Sequence, residues 1–89
     1  MNKVFLSGKI VGNPELRMES NDSAHLSLVM SVRHRTRSGE THQELYHVNA
    51  WNNAARWAAE NLTKGQIVAV QGYLTQRQIQ AGGITATAT

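Results

Sequence analysis

The sequence contains no cysteine and a single proline among its 89 residues, and only 6% of it is aromatic. Without cysteine, disulfide staples, thiolate metal sites and a cysteine nucleophile are all excluded. No stretch approaches the roughly 20 consecutive apolar residues that a membrane-spanning helix needs. The opening "MNKVFLSGKIVGNPE" is interrupted by Gly8, Lys9 and Gly12, so it lacks the continuous apolar core of a signal peptide. The chain therefore reads as cytoplasmic, with no membrane partner. Of the four histidines, His42 and His47 are five positions apart in one extended stretch and point to opposite faces. No H-E-x-x-H pattern accompanies them, and no metal ligand is assigned. A phosphate-binding glycine loop and a nucleophile elbow are both missing, so no catalytic residue, cofactor or enzyme activity is expected. A chain of this length makes one domain, residues 1–89, of a size often helped by self-association.

What the sequence does have is positive charge in a pattern. Nine Lys and Arg stand against six Asp and Glu, a net charge of +3. In "SVRHRTRSGE" arginine occupies alternating positions, Arg33, Arg35 and Arg37, with no acid before Glu40. Side chains alternate between faces in an extended strand, so these guanidinium groups are expected to emerge from one side. Like charges held together favour an anionic partner such as a nucleic acid; the plainer reading is a solvated basic strand end.

Hydrophobic periodicity supplies the elements. "KVFLSGKIVG" places Val4, Leu6 and Ile10 on one face and Phe5, Ser7, Lys9 and Val11 on the other, although Phe5 itself reads as packing. Asn13-Pro14 marks a turn, followed by a short extended piece, "ELRM". "AHLSLVMSVRHRTR" sets an apolar row of Leu26, Leu28, Met30 and Val32 against a mostly polar row that runs to Arg37. "ELYHVNAW" is a third strand, with Tyr46, Val48 and Ala50 on one side and Leu45, His47, Asn49 and Trp51 on the other; its pattern leaves the inward side open. "NNAARWAAENLTKG" changes period. It is expected to be a helix capped by Asn52 or Asn53, stopped at Gly65, and anchored by Trp57 in a stripe with Ala54, Ala58 and Leu62. "QIVAVQGYLTQRQ" reads as a fourth strand, Ala81 to Gly83 as a turn, and "ITATAT" as a short fifth strand. The expected fold is all-β: an OB-fold, a five-stranded Greek-key barrel with one short α-helix between strands 3 and 4.

"NKVFLSGKIVGNPELR", "ELYHVNAWNNAARWAAENL" and "KGQIVAVQGYL" occur here in an order and spacing that closely resemble bacterial single-stranded DNA-binding proteins. Primosomal replication protein N is a related family that shares the "LSG" and "VQG" pieces. The resemblance implies a homotetramer, or a homodimer in the primosomal relative. It also implies single-stranded DNA laid over basic loops and stacked on aromatic rings, in replication, recombination or repair, with a bacterial nucleoid location. The family's aromatic just before the helix matches Trp51. Its other stacking tryptophans match Leu45, a position near Ile79, and the Arg33 to Arg37 stretch, so they are replaced. Arginine can stack on a base while pairing with phosphate, which lets the arginine row stand in for missing rings. The DNA-binding residues expected are Lys9, Arg33, Arg35, Arg37, His47, Asn49, Trp51, Tyr73 and Arg77. The alternative is an adaptor like primosomal replication protein N, which binds DNA weakly and docks a helicase or loader. The linker and acidic tip by which such proteins recruit other replication proteins do not fall within residues 1–89, so the sequence is either a shortened piece or a specialised short form.

Overall fold

Backbone pairing organises the chain into strands β1 (Val4–Ile10), β2 (Glu15–Ser20), β3 (Ser23–Arg35) and β4 (Thr41–Trp51), helix α1 (Asn52–Asn61), and strands β5 (Ile67–Thr75) and β6 (Gln78–Thr87). These come from a computed structural model that describes residues 1–20, 22–76 and 78–87. The sheet order is β1-β5-β6-β4-β3-β2, and an additional β1–β3 pairing closes a five-stranded barrel of β1, β5, β6, β4 and β3. Neighbouring strands run antiparallel except β4 and β6, which are parallel from His47↔Gln78 to Ala50↔Ala81. This is the expected OB barrel. The "ELRM" piece becomes β2, which pairs along β3 outside the closed ring, so in chain order the helix follows the fourth strand rather than the third.

Alternation builds the core. Leu26, Leu28 and Met30 of β3 and Val48 and Ala50 of β4 lie side by side and point into a barrel interior also filled by Ile10, Val68, Val70 and Ile79. The question left open by the third strand is thereby answered: Val48 and Ala50 point inward. Closing so small a ring forces backbones together. A Cβ on Gly8 would lie 2.3 Å from the Ser31 carbonyl oxygen, where β1 bends across β3. One on Gly72 would lie 2.1 Å from the Gln80 carbonyl oxygen. Only glycine fits at either point.

The last hairpin differs from the expectation. Its turn lies at Gln76, which has a φ of 38°, and Ala81-Gly82-Gly83 runs inside β6 instead of reversing the chain. A register shift between Gln71 and Gly72 absorbs the irregularity. Glycine within a strand marks a bulge as readily as a turn, and here the polar Gln76 takes the corner. The final strand therefore starts at Gln78, and Ile79 sits in the core at 1% exposure rather than near a surface loop.

Helix α1 also departs in detail. Its buried residues are Ala55 and Ala58, joined by Leu62 just past its end, while Trp57 is 42% exposed and anchors nothing. Alanines let the helix lie close over the barrel end, where an indole would hold it away. Trp51 occupies the cap position, with no side-chain cap bond. Asn52 instead has a φ of 53° and accepts a 3.2 Å bond from the Ala24 amide through Oδ1, tying the helix start to β3. Phe5 stands out from β1 beside Lys3 and does not pack inward. No helix among the described residues is long and apolar enough to cross a membrane.

Candidate nucleic-acid interface

Strand register dictates which side chains share the barrel's outer face. Trp51 lies opposite His25; Asn49 lies opposite Ser27; His47 lies opposite Val29. On the other side of β4, Asn49 pairs with Gln80 and His47 with Gln78. Gln80 in turn faces Tyr73 on β5. Since paired residues point the same way, Trp51, Asn49, His47 and Tyr73 belong to one outward surface.

Hydrogen bonds lock that surface at its Trp51 end. The indole is 45% exposed, yet its Nε1–H donates to Gln80 Oε1 at 2.8 Å. Its ring stacks on His25 with centroids 4.3 Å apart and planes 25° from parallel. Asn49 is 8% exposed; its Nδ2 donates to Gln78 Oε1 at 2.7 Å, and its Oδ1 lies 2.8 Å from His25 Nε2. With the amide nitrogen committed to Gln78, Oδ1 is the acceptor and His25 Nε2 carries the hydrogen. His25 Nδ1 faces Glu19 Oε1 at 3.6 Å. Asn49 was expected to touch a ligand. The structure makes it instead a satisfied, nearly buried strut beneath the exposed ring.

The opposite end of the same strands is cationic. Lys9 pairs with Ser31 across the β1–β3 seam, and Arg33 pairs with Gln43. Together with Ser7 and Gly8 these residues line an open groove of about 580 Å³. Arg35 continues the row opposite Thr41. Arg37 does not: β3 ends at Arg35, and Arg37 falls in the turn that Thr36 and Glu40 close with a 2.8 Å backbone bond. Its place in the alternating row is lost because a strand's two-residue period stops where the hairpin bends.

Charges of opposite sign are kept apart by the same alternation. Among the described residues every close contact between a carboxylate and a basic side chain uses a histidine: Glu19 with His25, Glu44 with His34 and Glu40 with His42. None involves a lysine or arginine, so Arg33 and Arg35 have no carboxylate partner in this set. Glu44, which shares a face with His34, accepts a 2.9 Å bond from the Tyr46 hydroxyl. That bond, followed by His34, holds the Glu44 carboxyl below its ordinary range. The carboxylate in return pushes the Tyr46 hydroxyl up.

The structure places Trp51, His47 and Tyr73 on one surface and Lys9 with Arg33 in one groove; from the sequence, only Trp51, His47 and Asn49 share a face, and Tyr73 shares one with Arg77. Arg77 lies outside the described residues. The aromatic and the cationic residues form two patches. His25 and Arg33 are eight positions apart on β3, which at about 3.3 Å per residue separates the ends by roughly 26 Å. Leu45, where the resemblance implies a tryptophan, is exposed on the outward side between His47 and Gln43. His25, Gln78 and Gln80 were missed. The signal for His25 was its position two residues before Ser27 on the polar row; the glutamines carried none, because Gln78 read as the end of the fourth strand and Gln80 fell just before the Ala81 to Gly83 turn.

A family profile described as "Single-strand binding protein family" matches residues 1–89. A single-stranded DNA-binding protein of Thermus thermophilus is 38% identical over 74 residues, covering 83% of this chain and 28% of that protein. Single-stranded DNA-binding protein 1 of Streptococcus pyogenes is 31% identical over 84 residues, covering 92% of this chain and 64% of that protein. The chain therefore spans between about a quarter and two thirds of these relatives. Among solved structures, a small single-stranded DNA-binding protein from Streptomyces coelicolor superposes with a TM-score of 0.83 at 24% identity, covering 98% of this chain and 95% of its own. At that identity the likeness speaks for the fold. The match of the family profile over the whole length carries the larger conclusion: the chain belongs to the single-strand binding protein family.

Proposed function

We propose that this chain binds single-stranded DNA with little sequence preference, holding bases on Trp51 and phosphates along Lys9, Arg33 and Arg35. The observation that carries this reading is the pairing of a half-exposed, tethered indole with arginines that have no carboxylate partner among the described residues, on one outer face of an OB barrel. Stacking is tolerant of sequence because every base has a π-face, and a cationic path follows the backbone of any strand. The names of the relatives support the same ligand. His47 and Tyr73 extend the stacking surface, Arg37 adds a cation at the hairpin tip, and Arg77 adds a further one. The chain works as a homo-oligomer, a dimer or tetramer, in replication, recombination or repair.

Tryptophan fluorescence tests this directly. In a Trp57→Phe background Trp51 is the one indole left, and titration with oligo-dT should quench it. Affinity should fall with salt at a log–log slope of about −0.7 for each phosphate neutralised. Trp51→Ala should weaken binding by about 1–3 kcal/mol. Salt-sensitive binding without quenching would remove the stacking role and favour the adaptor reading; no binding at low salt would overturn the proposal.

A further inference from the structure

We infer that His25 is a positioning residue for single-stranded DNA: its imidazole backs the Trp51 indole, sets the plane of that ring and leaves one indole face open to a base. The inference rests on the reading of Trp51 as a stacking ring. Three features of the geometry lead to it.

The first is the stack itself. Ring centroids 4.3 Å apart and planes within 25° mean that one face of the indole is already covered by imidazole. Cross-strand register places the two residues directly opposite each other, so the contact follows from the pairing of β3 with β4. The second is that the imidazole cannot readily swing aside. Its Nε2–H donates to Asn49 Oδ1 at 2.8 Å, and Asn49 is held by Gln78 at 2.7 Å. The third is the indole's own tether, the 2.8 Å bond from Nε1–H to Gln80 Oε1. Turning the ring out of its plane breaks that bond and the stack together.

An exposed tryptophan without such support samples several rotamers and must give up that freedom each time a base docks. Trp51 has given it up in advance, in the folded chain. A base arriving on the open face completes a three-layer stack of imidazole, indole and base. The histidine does this without meeting the base, which distinguishes it from His47, placed one residue pair beyond Asn49 on the same outer face.

The test compares His25→Ala and His25→Phe in the Trp57→Phe background, with thermal melts to establish folding. Two readouts are used: oligo-dT affinity by quenching, and the local motion of the Trp51 indole in the free protein by time-resolved anisotropy. His25→Ala should lower affinity about two- to tenfold, the equivalent of ordering one side chain, and should speed the indole's motion. His25→Phe keeps a flat ring at the position but loses the bond to Asn49. It should restore slow motion and bring affinity to within about twofold of the parent, as expected if stacking rather than hydrogen bonding does the positioning. Unchanged affinity in folded His25→Ala, or a folded His25→Phe that rescues neither readout, overturns the assignment. Failure of the parent protein to bind oligo-dT at all would sink the DNA-binding reading instead. In that event, unchanged indole motion in His25→Ala would sink the positioning role on its own.

Discussion

Arg33 and His34 are neighbours in sequence and opposites in environment. Arg33 lines a groove with Lys9, whereas His34 lies 2.6 Å from a Glu44 carboxylate oxygen on the other face of the hairpin. One residue of displacement in a strand is enough to send a guanidinium to the groove and an imidazole to a carboxylate. The Glu44 carboxyl is lowered from its ordinary 4.5, first by the Tyr46 hydroxyl and then by His34. Because the folded state lowers this acid, the bond's contribution to stability is present above the ordinary carboxylate range and is lost as pH falls through the lowered value. Tyr46 is raised from 10.0, with the Glu44 bond as first cause. Its contribution is present below the ordinary tyrosine range and is lost as pH rises through the raised value. Tyr46→Phe removes the hydroxyl, so the Glu44 carboxyl should titrate closer to 4.5, read by the NMR shift of its side-chain carboxyl carbon. A Glu44 titration that does not move would refute the assigned cause.

At the scale of elements, β1, β3 and β4 were legible because half-buried strands alternate, and Leu26, Leu28, Met30 and Val48 obey that rule without exception. What pattern could not reveal is where a glycine bends a strand and where it ends one. Gly39 reverses the β3–β4 hairpin with a φ of 87°, while Gly82 and Gly83 continue β6; both look like turn residues in the sequence. Trp57 misled for a related reason. Its spacing suits a buried stripe, but the helix approaches the barrel through Ala55 and Ala58, and no period distinguishes a large anchor from a small one. The candidate site divided the same way: Trp51, Lys9 and Arg33 were readable from alternation and resemblance, whereas the contacts among His25, Asn49 and Gln78 depend on three strands meeting in register. The two close approaches make a further prediction. Gly72→Ala sets a methyl against the Gln80 backbone and should cost at least about 1–3 kcal/mol, lowering the melting temperature by roughly 4–8 °C per kcal/mol. Gly83→Ala meets open space and should melt within a few degrees of the parent, roughly the ±0.5 kcal/mol of an unobstructed surface change. Equal melting temperatures for the two variants would mean that β5 and β6 cross less tightly.

The whole molecule measures 50 × 31 × 16 Å, and its aromatic and cationic patches lie toward opposite ends of one strand pair. A strand of DNA must be long enough to reach both before they act together, and the gain then comes from linkage of two contacts rather than from any new one. With oligo-dT of about 4 nucleotides, the low end of the range for a single OB fold, Arg33→Ala/Arg35→Ala should bind nearly as well as the parent. With about 16 nucleotides, the high end of that range, the double variant should bind more weakly and with a shallower salt dependence. Equal losses at both lengths would contradict the two-patch arrangement. The barrel's closure also bears on the groove. β1 is fastened to β5 by six paired positions, from Val4↔Gly72 to Lys9↔Ile67. It is fastened to β3 by two, Lys9↔Ser31 and Ile10↔Met30, with one further bond from the Val11 amide to the Val29 carbonyl. Lys9 and Arg33 stand on either bank of that short seam. A phosphate gripped by both would act as a rivet across it, so that cargo and container reinforce each other: the loaded barrel is harder to pry open than the empty one.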